Sequence, residues 1–133
     1  MKKEEHLPEN AIFCCFGCMS SVGTLTGVAV LEAYKKMDKE KTGLFCTSAI
    51  AAGVAKHRKT TEKAKIIIGI DGCYNKCTTK ILEKESTKID KILNLLQDLK
   101  IPKIGPFKPS DYEDEDLERT VNEIIRPYKE EAK

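Results

Sequence analysis

Six cysteines are the residues of this chain best suited to chemistry, and they fall into three groups. They are Cys14, Cys15, Cys18, Cys46, Cys73 and Cys77. The thiolate form of cysteine ligates metals and attacks as a nucleophile. In a reducing compartment, clustered cysteines bind metal or perform redox chemistry more often than they form disulfides. The three groups together therefore predict a metal or thiol site.

Each cysteine group accompanies a segment that is predicted to be a buried strand. These strands are residues 11–16 (AIFCCF), 43–46 (GLFC) and 65–70 (KIIIGI). A helix is predicted after each strand. The first helix has its cap at Ser20 or Ser21 and runs to about Met37, and the second has its cap at Thr47 or Ser48 and covers residues 49–59. The third covers residues 74–84. This alternation predicts an α/β fold, a single three-layer domain with a mostly parallel sheet and helices on both faces.

The length of 133 residues suits one domain. The domain is predicted to begin with a solvated tail at residues 1–10, followed by a motif-bearing core at residues 11–95 and a C-terminal helix at residues 110–128. The stretch KIDKILNL, residues 88–95, is predicted as a fourth strand, although ILNLLQDL also has helical spacing. Ser110 and Glu113 form a capping-box pattern for the last helix, which is expected to end near Pro127.

The predicted topology brings the cysteines to one edge of the sheet. In a parallel sheet the carboxyl ends of all strands share an edge, where open α/β sheets bind their ligands. Helix N-termini there favour the thiolate. Neighbouring strands are about 4.8 Å apart, and zinc needs thiolates about 4 Å from one another. We therefore predict a zinc site formed by four of five cysteines: Cys15, Cys18, Cys46, Cys73 and Cys77. Cys14, in mid-strand, is interpreted as a small buried residue.

Few other polar residues are candidates for the site. Asp71 either orients a ligand or accepts backbone N–H bonds at its turn. Tyr74 either packs over the site or lies on the surface. His57 is interpreted as a helix-end residue, because a single helix over residues 49–59 would place it far from Cys46. His6 lies in the predicted tail and is given no role.

Composition narrows the classes of partner. The net charge is +2, lysine greatly outnumbers arginine and tryptophan is absent, so no nucleic-acid partner is predicted. No signal peptide and no long apolar segment is recognised, so we expect a cytoplasmic protein without a membrane partner. The predicted partner is a metal ion, and no motif indicates a protein partner.

Several enzyme classes lack their motifs. No Walker A or G-x-G-x-x-G sequence occurs. No cysteine stands five residues before an arginine, as low-molecular-weight phosphatases need, and no Ser/His/Asp set is suggested. The proline-free stretch between Pro8 and Pro102 argues against a thioredoxin-like fold. Two alternatives to zinc stay open: an iron–sulfur cluster, since ligand type alone does not separate the two, and a thiol-based enzyme acting on sulfur, persulfide or soft metalloid species.

Three motifs together resemble one family. CFGCMS, LFCTSAIAAG and IIGIDGCYNKC followed by TTKILEKE, within about residues 11–95, look like the DGC-domain family of zinc-binding proteins, named for its Asp-Gly-Cys. The resemblance implies a zinc site of Cys15, Cys46, Cys73 and Cys77, with Cys18 as a further candidate ligand. The second motif departs from the family's usual small-residue pattern after its cysteine. The implied role is structural or in metal handling, and the resemblance assigns no reaction.

Overall fold

Four parallel strands form one sheet in the computed structural model of this chain, which describes residues 6–131 and their side chains as far as residue 126. The strands are β1 Asn10–Cys14, β2 Thr42–Leu44, β3 Ile66–Asp71 and β4 Lys91–Asn94. Their order across the sheet is β2-β1-β3-β4, and every neighbouring pair is parallel. The predicted parallel α/β fold is confirmed, and its two central strands carry the apolar runs expected when helices cover both faces.

Six helices lie within the described residues. They are α1 Ser21–Lys35, α2 Thr47–Ala51, α3 Ala55–Glu62, α4 Cys77–Lys84, α5 Leu95–Leu99 and α6 Asp114–Glu131. The N-cap of α1 is Ser20, as predicted, and its hydroxyl accepts a hydrogen bond from the backbone N–H of Gly23 at 3.3 Å. No helix among the described residues is long and apolar enough to cross a membrane.

Side chains alternate between two cores, one on each face of the sheet. Ile12 of β1 joins the core formed with α1, α5 and α6, whereas its neighbour Phe13 joins the core formed with α2 and α4. The same alternation divides Ile68 from Ile67 in β3. These two cores give the three layers that the sequence predicts.

The segment predicted as one helix over residues 49–59 is two helices. Gly53 has a φ of +74°, a left-handed conformation that ends α2 and redirects the chain before α3 begins. The prediction of one helix is wrong because the apolar pattern continues across the break, while the glycine acts as a C-terminal stop. As a result α3 turns back toward β2, and His57 comes close to the region of Cys46.

Replacing Gly53 with alanine should lower the free energy of unfolding by about 1 kcal/mol. The effect is one of backbone conformation, because a Cβ atom at Gly53 would meet nothing within 4 Å. Gly17 is the matched control, since its Cβ position is equally open and its φ is not left-handed. Urea unfolding of both variants measures the difference. Equal stabilities of Gly53→Ala and Gly17→Ala would contradict the role given to this bend.

Three predicted boundaries move in the structure. Residues 88–99, whose pattern fits either a strand or a helix, contain one of each, because β4 passes directly into α5. Helix α6 begins at Asp114, so Ser110 lies before it, and the predicted capping box is wrong. It also continues past Pro127 to Glu131, since a proline removes a helical hydrogen bond without always ending the helix. Of the predicted tail, residues 1–5 lie outside the described residues.

Candidate functional site

The carboxyl ends of three strands meet at one edge of the sheet. Ile12 is in register with Leu44 of β2, and Cys14 is in register with Ile70 of β3. One residue further on, the N–H of Cys15 donates to the carbonyl of Ile70 at 3.2 Å, so β1 and β3 stay together beyond the last paired residues. The three strand-to-helix turns that carry the cysteines therefore begin side by side.

Asp71, the last residue of β3, fixes the turn that presents Cys73 and Cys77. Its carboxylate is 1% exposed and accepts hydrogen bonds from the backbone N–H groups of Thr78 at 2.7 Å and Thr79 at 3.1 Å. It also accepts a bond from the Thr79 hydroxyl. Of the two roles considered for Asp71, accepting backbone N–H groups is the one observed. Both carboxylate oxygens are engaged by α4, so Asp71 orients the helix rather than a ligand.

The turn after Asp71 is longer than the sequence predicts. Lys76 adopts a left-handed conformation (φ 51°, ψ 46°), so α4 begins at Cys77 and not at Tyr74. Cys73 lies within the turn, where its carbonyl accepts bonds from the Lys76 N–H at 3.2 Å and from the Asn94 side chain at 2.9 Å. The predicted helix start is wrong because a left-handed residue cannot belong to a right-handed helix.

Three thiols share this part of the edge. Burial raises the pKa of Cys77, and the negative charges of Cys15, Asp71 and Cys73 raise it further, whereas Lys80 opposes them. Geometry agrees with this grouping, because the Cys15 N–H bonds to Ile70, one residue before Asp71, so the turns after β1 and β3 start next to each other.

Cys14 and Cys15 differ although they are adjacent. Cys14 packs against the core on the α1 side. Burial, followed by the charge of Cys15, raises the pKa of Cys14 to about 11, so its thiol keeps its proton. The Cys15 sulfur lies 3.6 Å from the hydroxyl of Thr26 on α1. Cys14 is therefore a packing residue, as the sequence indicates, whereas Cys15 contacts Thr26 and stays a predicted ligand.

Cys18 and Cys46 are exposed, and each thiol bonds to the backbone of its own turn. The Cys18 thiol donates to the carbonyl of Phe16 at 3.6 Å. Cys46 is the N-cap of α2, and its sulfur accepts from the N–H of Ala49 at 3.4 Å. The prediction that Thr47 or Ser48 caps this helix is wrong, because the Thr47 hydroxyl instead donates to the carbonyl of Cys14 at 2.8 Å. Neither thiol acts on the pKa of Cys77 as Cys15 and Cys73 do.

Lys103 is a residue of this site that the sequence analysis missed. It lies in the proline-containing loop of residues 101–109, and its ammonium group donates to the Cys73 sulfur at 3.5 Å. The loop is held over α1 by Ile104, whose N–H and carbonyl bond to Ser21 at 2.8 and 2.9 Å. Lys103 is 30 residues from Cys73 in sequence, so no local spacing links them. The only signal was a lone lysine between prolines.

The donors suit a thiophilic metal ion in chemical type. Thiolate sulfur selects zinc and other soft or borderline ions, and the Asp71 carboxylate is already bonded to α4. Among the side chains described, those of residues 6–126, no three from His, Cys, Asp or Glu are already arranged around a common point that could hold a metal ion. Cys15, Cys73 and Cys77 are only partly buried or exposed, so binding requires that their side chains rotate toward one ion.

These features define a parallel α/β domain that carries thiols on the carboxyl edge of its sheet. A sequence model of the DGC domain matches residues 11–124, and the chain therefore belongs to the DGC-domain family. This confirms the resemblance seen in the three cysteine motifs and extends it through the loop of Lys103 into α6. Comparisons with curated proteins and with solved structures gave no match.

Proposed function

We propose that the protein binds a zinc ion through cysteine thiolates at the carboxyl edge of its sheet. The observation that carries this proposal is that β1 and β3 end side by side, joined by the bond from the Cys15 N–H to Ile70 at 3.2 Å, so the segments that bear Cys15, Cys73 and Cys77 start at the same edge. A fourth ligand comes from Cys46, which the family resemblance favours, or from Cys18. Neither residue needs to cross the sheet, because both lie in turns at this edge.

Charge provides a physical reason for a cation at this place. Three thiolates near one another repel, and the same repulsion raises the pKa of Cys77 when no cation is present. A divalent ion removes that penalty and displaces the protons. Zinc affinity should therefore increase with pH through the range in which the thiols would otherwise stay protonated.

The exposure of the thiols favours metal handling over a purely structural role. Four thiolates complete the coordination of zinc as in structural sites, but Cys18, Cys46 and Cys77 are exposed to solvent here. An incoming ligand on another molecule has access to an ion held there. We place this activity in the cytoplasm, where reducing conditions keep such thiols free, and we propose no nucleic-acid partner, given the net charge of +2.

Replacing Lys103 with glutamine should weaken zinc binding about threefold to fivefold, as expected for one partly exposed charge contact. The reason is that a zinc ion with four thiolates carries a net negative charge, which the Lys103 ammonium beside Cys73 offsets. Competition with a chromophoric chelator measures the affinity. Lys108→Gln is the control on the same loop, and the difference between the two variants should shrink in high salt. Equal affinities at low salt would show that the contact with Cys73 does not support binding.

Metal content and absorbance of the purified protein, kept reduced, test the proposal directly. One zinc per chain without visible colour supports it. A brown protein that contains iron and acid-labile sulfide replaces zinc with an iron–sulfur cluster. Protein that takes up no zinc after reduction and dialysis against zinc contradicts the proposal.

Thiol chemistry is the second candidate function, and the contact between Lys103 and Cys73 favours it. Positive charge beside the sulfur is what a nucleophilic thiolate requires. The protein would then act on a sulfur, persulfide or soft metalloid species. Absence of bound metal together with rapid, selective alkylation of Cys73 would support this function over zinc binding.

A further inference from the structure

A cavity of about 370 Å³ lies between the end of β2 and α3. Its lining combines polar and apolar residues: His6, Leu7, Leu44, Phe45, Cys46, Lys56, His57 and Thr60. The volume is at the lower end of the range for sites that bind small molecules. Of this lining, only Cys46 belongs to the predicted zinc site, so the cavity is a feature that the proposed function does not use.

The bend at Gly53 creates this cavity. It sends α3 back along the end of β2, so that Lys56 and Thr60, one helical turn apart, face the same space as His57. The expectation that His57 lies far from Cys46 is therefore wrong, because that expectation assumed one continuous helix. On the other wall Phe45 is held in place by an edge-to-face contact with the buried ring of Phe13, with ring centroids 5.5 Å apart.

Three side chains of the cavity lining carry a positive charge or can be protonated to carry one. They are the Lys56 ammonium and the imidazoles of His6 and His57, and no Asp or Glu of the described chain is part of the lining. His6 already bonds through Nε2 to the carbonyl of Glu40 at 2.6 Å. Among the residues that the structure describes, no hydrogen bond or ion pair engages the Lys56 ammonium or the His57 ring. These two groups are therefore available to a ligand.

We propose that this cavity binds a small organic oxyanion. Its charged group lies between Lys56 and His57, where an ammonium and an imidazole N–H donate to it. Its apolar part lies against Phe45 and Leu44, which would otherwise face water in the cavity. This site shares only Cys46 with the proposed zinc site, and the contacts proposed for the oxyanion do not involve Cys46, so the two proposals fail separately.

The histidines make the test specific. The chain has only two, His6 and His57, and both line the cavity. Their imidazole C–H signals in NMR spectra of the full chain, at constant pH and under reducing conditions, therefore report on this site alone. Phenyl phosphate and benzoate are the probes, and inorganic phosphate is the comparison that lacks an apolar part. We expect saturable shifts of the His57 signal with a dissociation constant of about 1 mM or lower for at least one organic probe, and about fivefold weaker binding of inorganic phosphate.

Substitutions separate this site from general surface charge. Lys56→Gln should weaken binding of the organic probe about tenfold, as expected for a charged hydrogen bond. Lys59→Gln, on the same helix but outside the cavity, should leave it unchanged. The proposal is overturned by non-saturable shifts at about 10 mM probe, by equal losses in the two variants, or by inorganic phosphate binding as tightly as both organic probes.

Discussion

Replacing Cys73 and Cys77 together with serine should reduce bound zinc from one ion per chain to almost none. Serine hydroxyls are poor zinc ligands, and the two substitutions remove both proposed ligands that follow β3. The loss of two thiolates should weaken binding by about a thousandfold or more. Chelator competition and metal analysis after dialysis measure the loss, and circular dichroism verifies that the variant is folded.

Cys14→Ala is the matched control for this experiment. Cys14 is next to the site residue Cys15, yet it packs against the core and its pKa is raised to about 11. The Cys14→Ala protein should therefore keep one zinc ion per chain. If the Cys73→Ser, Cys77→Ser protein also retains one zinc per chain with unchanged affinity, the metal is bound elsewhere and the proposed site is wrong.

Asp71→Ala should lower the free energy of unfolding by about 3 kcal/mol. The substitution leaves three buried donors of α4 without their acceptor: the N–H groups of Thr78 and Thr79 and the Thr79 hydroxyl. Each buried group that loses its partner costs about 1 kcal/mol or more, because water does not replace the bond. Urea unfolding with a two-state analysis measures the change.

Asp38→Ala is the control for the loss of a carboxylate. Asp38 also accepts a backbone N–H bond, from Glu40 at 2.9 Å, but it does so at the surface. Asp38→Ala should lower the free energy of unfolding by about 0.5 kcal/mol or less, because water replaces the hydrogen bond at the surface. An Asp71→Ala protein as stable as Asp38→Ala would mean that this aspartate does not hold the start of α4.

The parts of this fold that follow from continuous sequence patterns were predictable. Residues 66–70 are a run of isoleucines interrupted only by glycine, and such a run is typical of a central strand covered on both faces. The rule that strand ends share an edge then places Cys15 near Cys73, although 58 residues separate them (73 − 15). Both conclusions rest on general properties of parallel sheets and not on local detail.

The parts that were not predictable depend on single backbone conformations and on contacts between distant segments. The left-handed conformation of Lys76 has no local signal, because lysine does not favour it. Gly53 was visible as a glycine, yet nothing in the surrounding pattern separates a helix stop from a tolerated glycine. Lys103 reaches Cys73 only because Ser21 anchors its loop, and that anchoring is a tertiary contact. Lys76 and Lys103 shape the rim around Cys73, whereas Gly53 shapes the neighbouring cavity.

The packing of α6 determines how the cysteine motifs can be used outside this protein. Val121, Ile124 and Ile125 are buried in the same core as Leu25 and Ala29 of α1, although they lie far beyond the last cysteine. A fragment cut after residue 95 would retain every thiol but leave that side of α1 bare and prone to aggregation. The three motifs are therefore not a portable module, and engineering of this site in another scaffold has to carry the C-terminal helix with it.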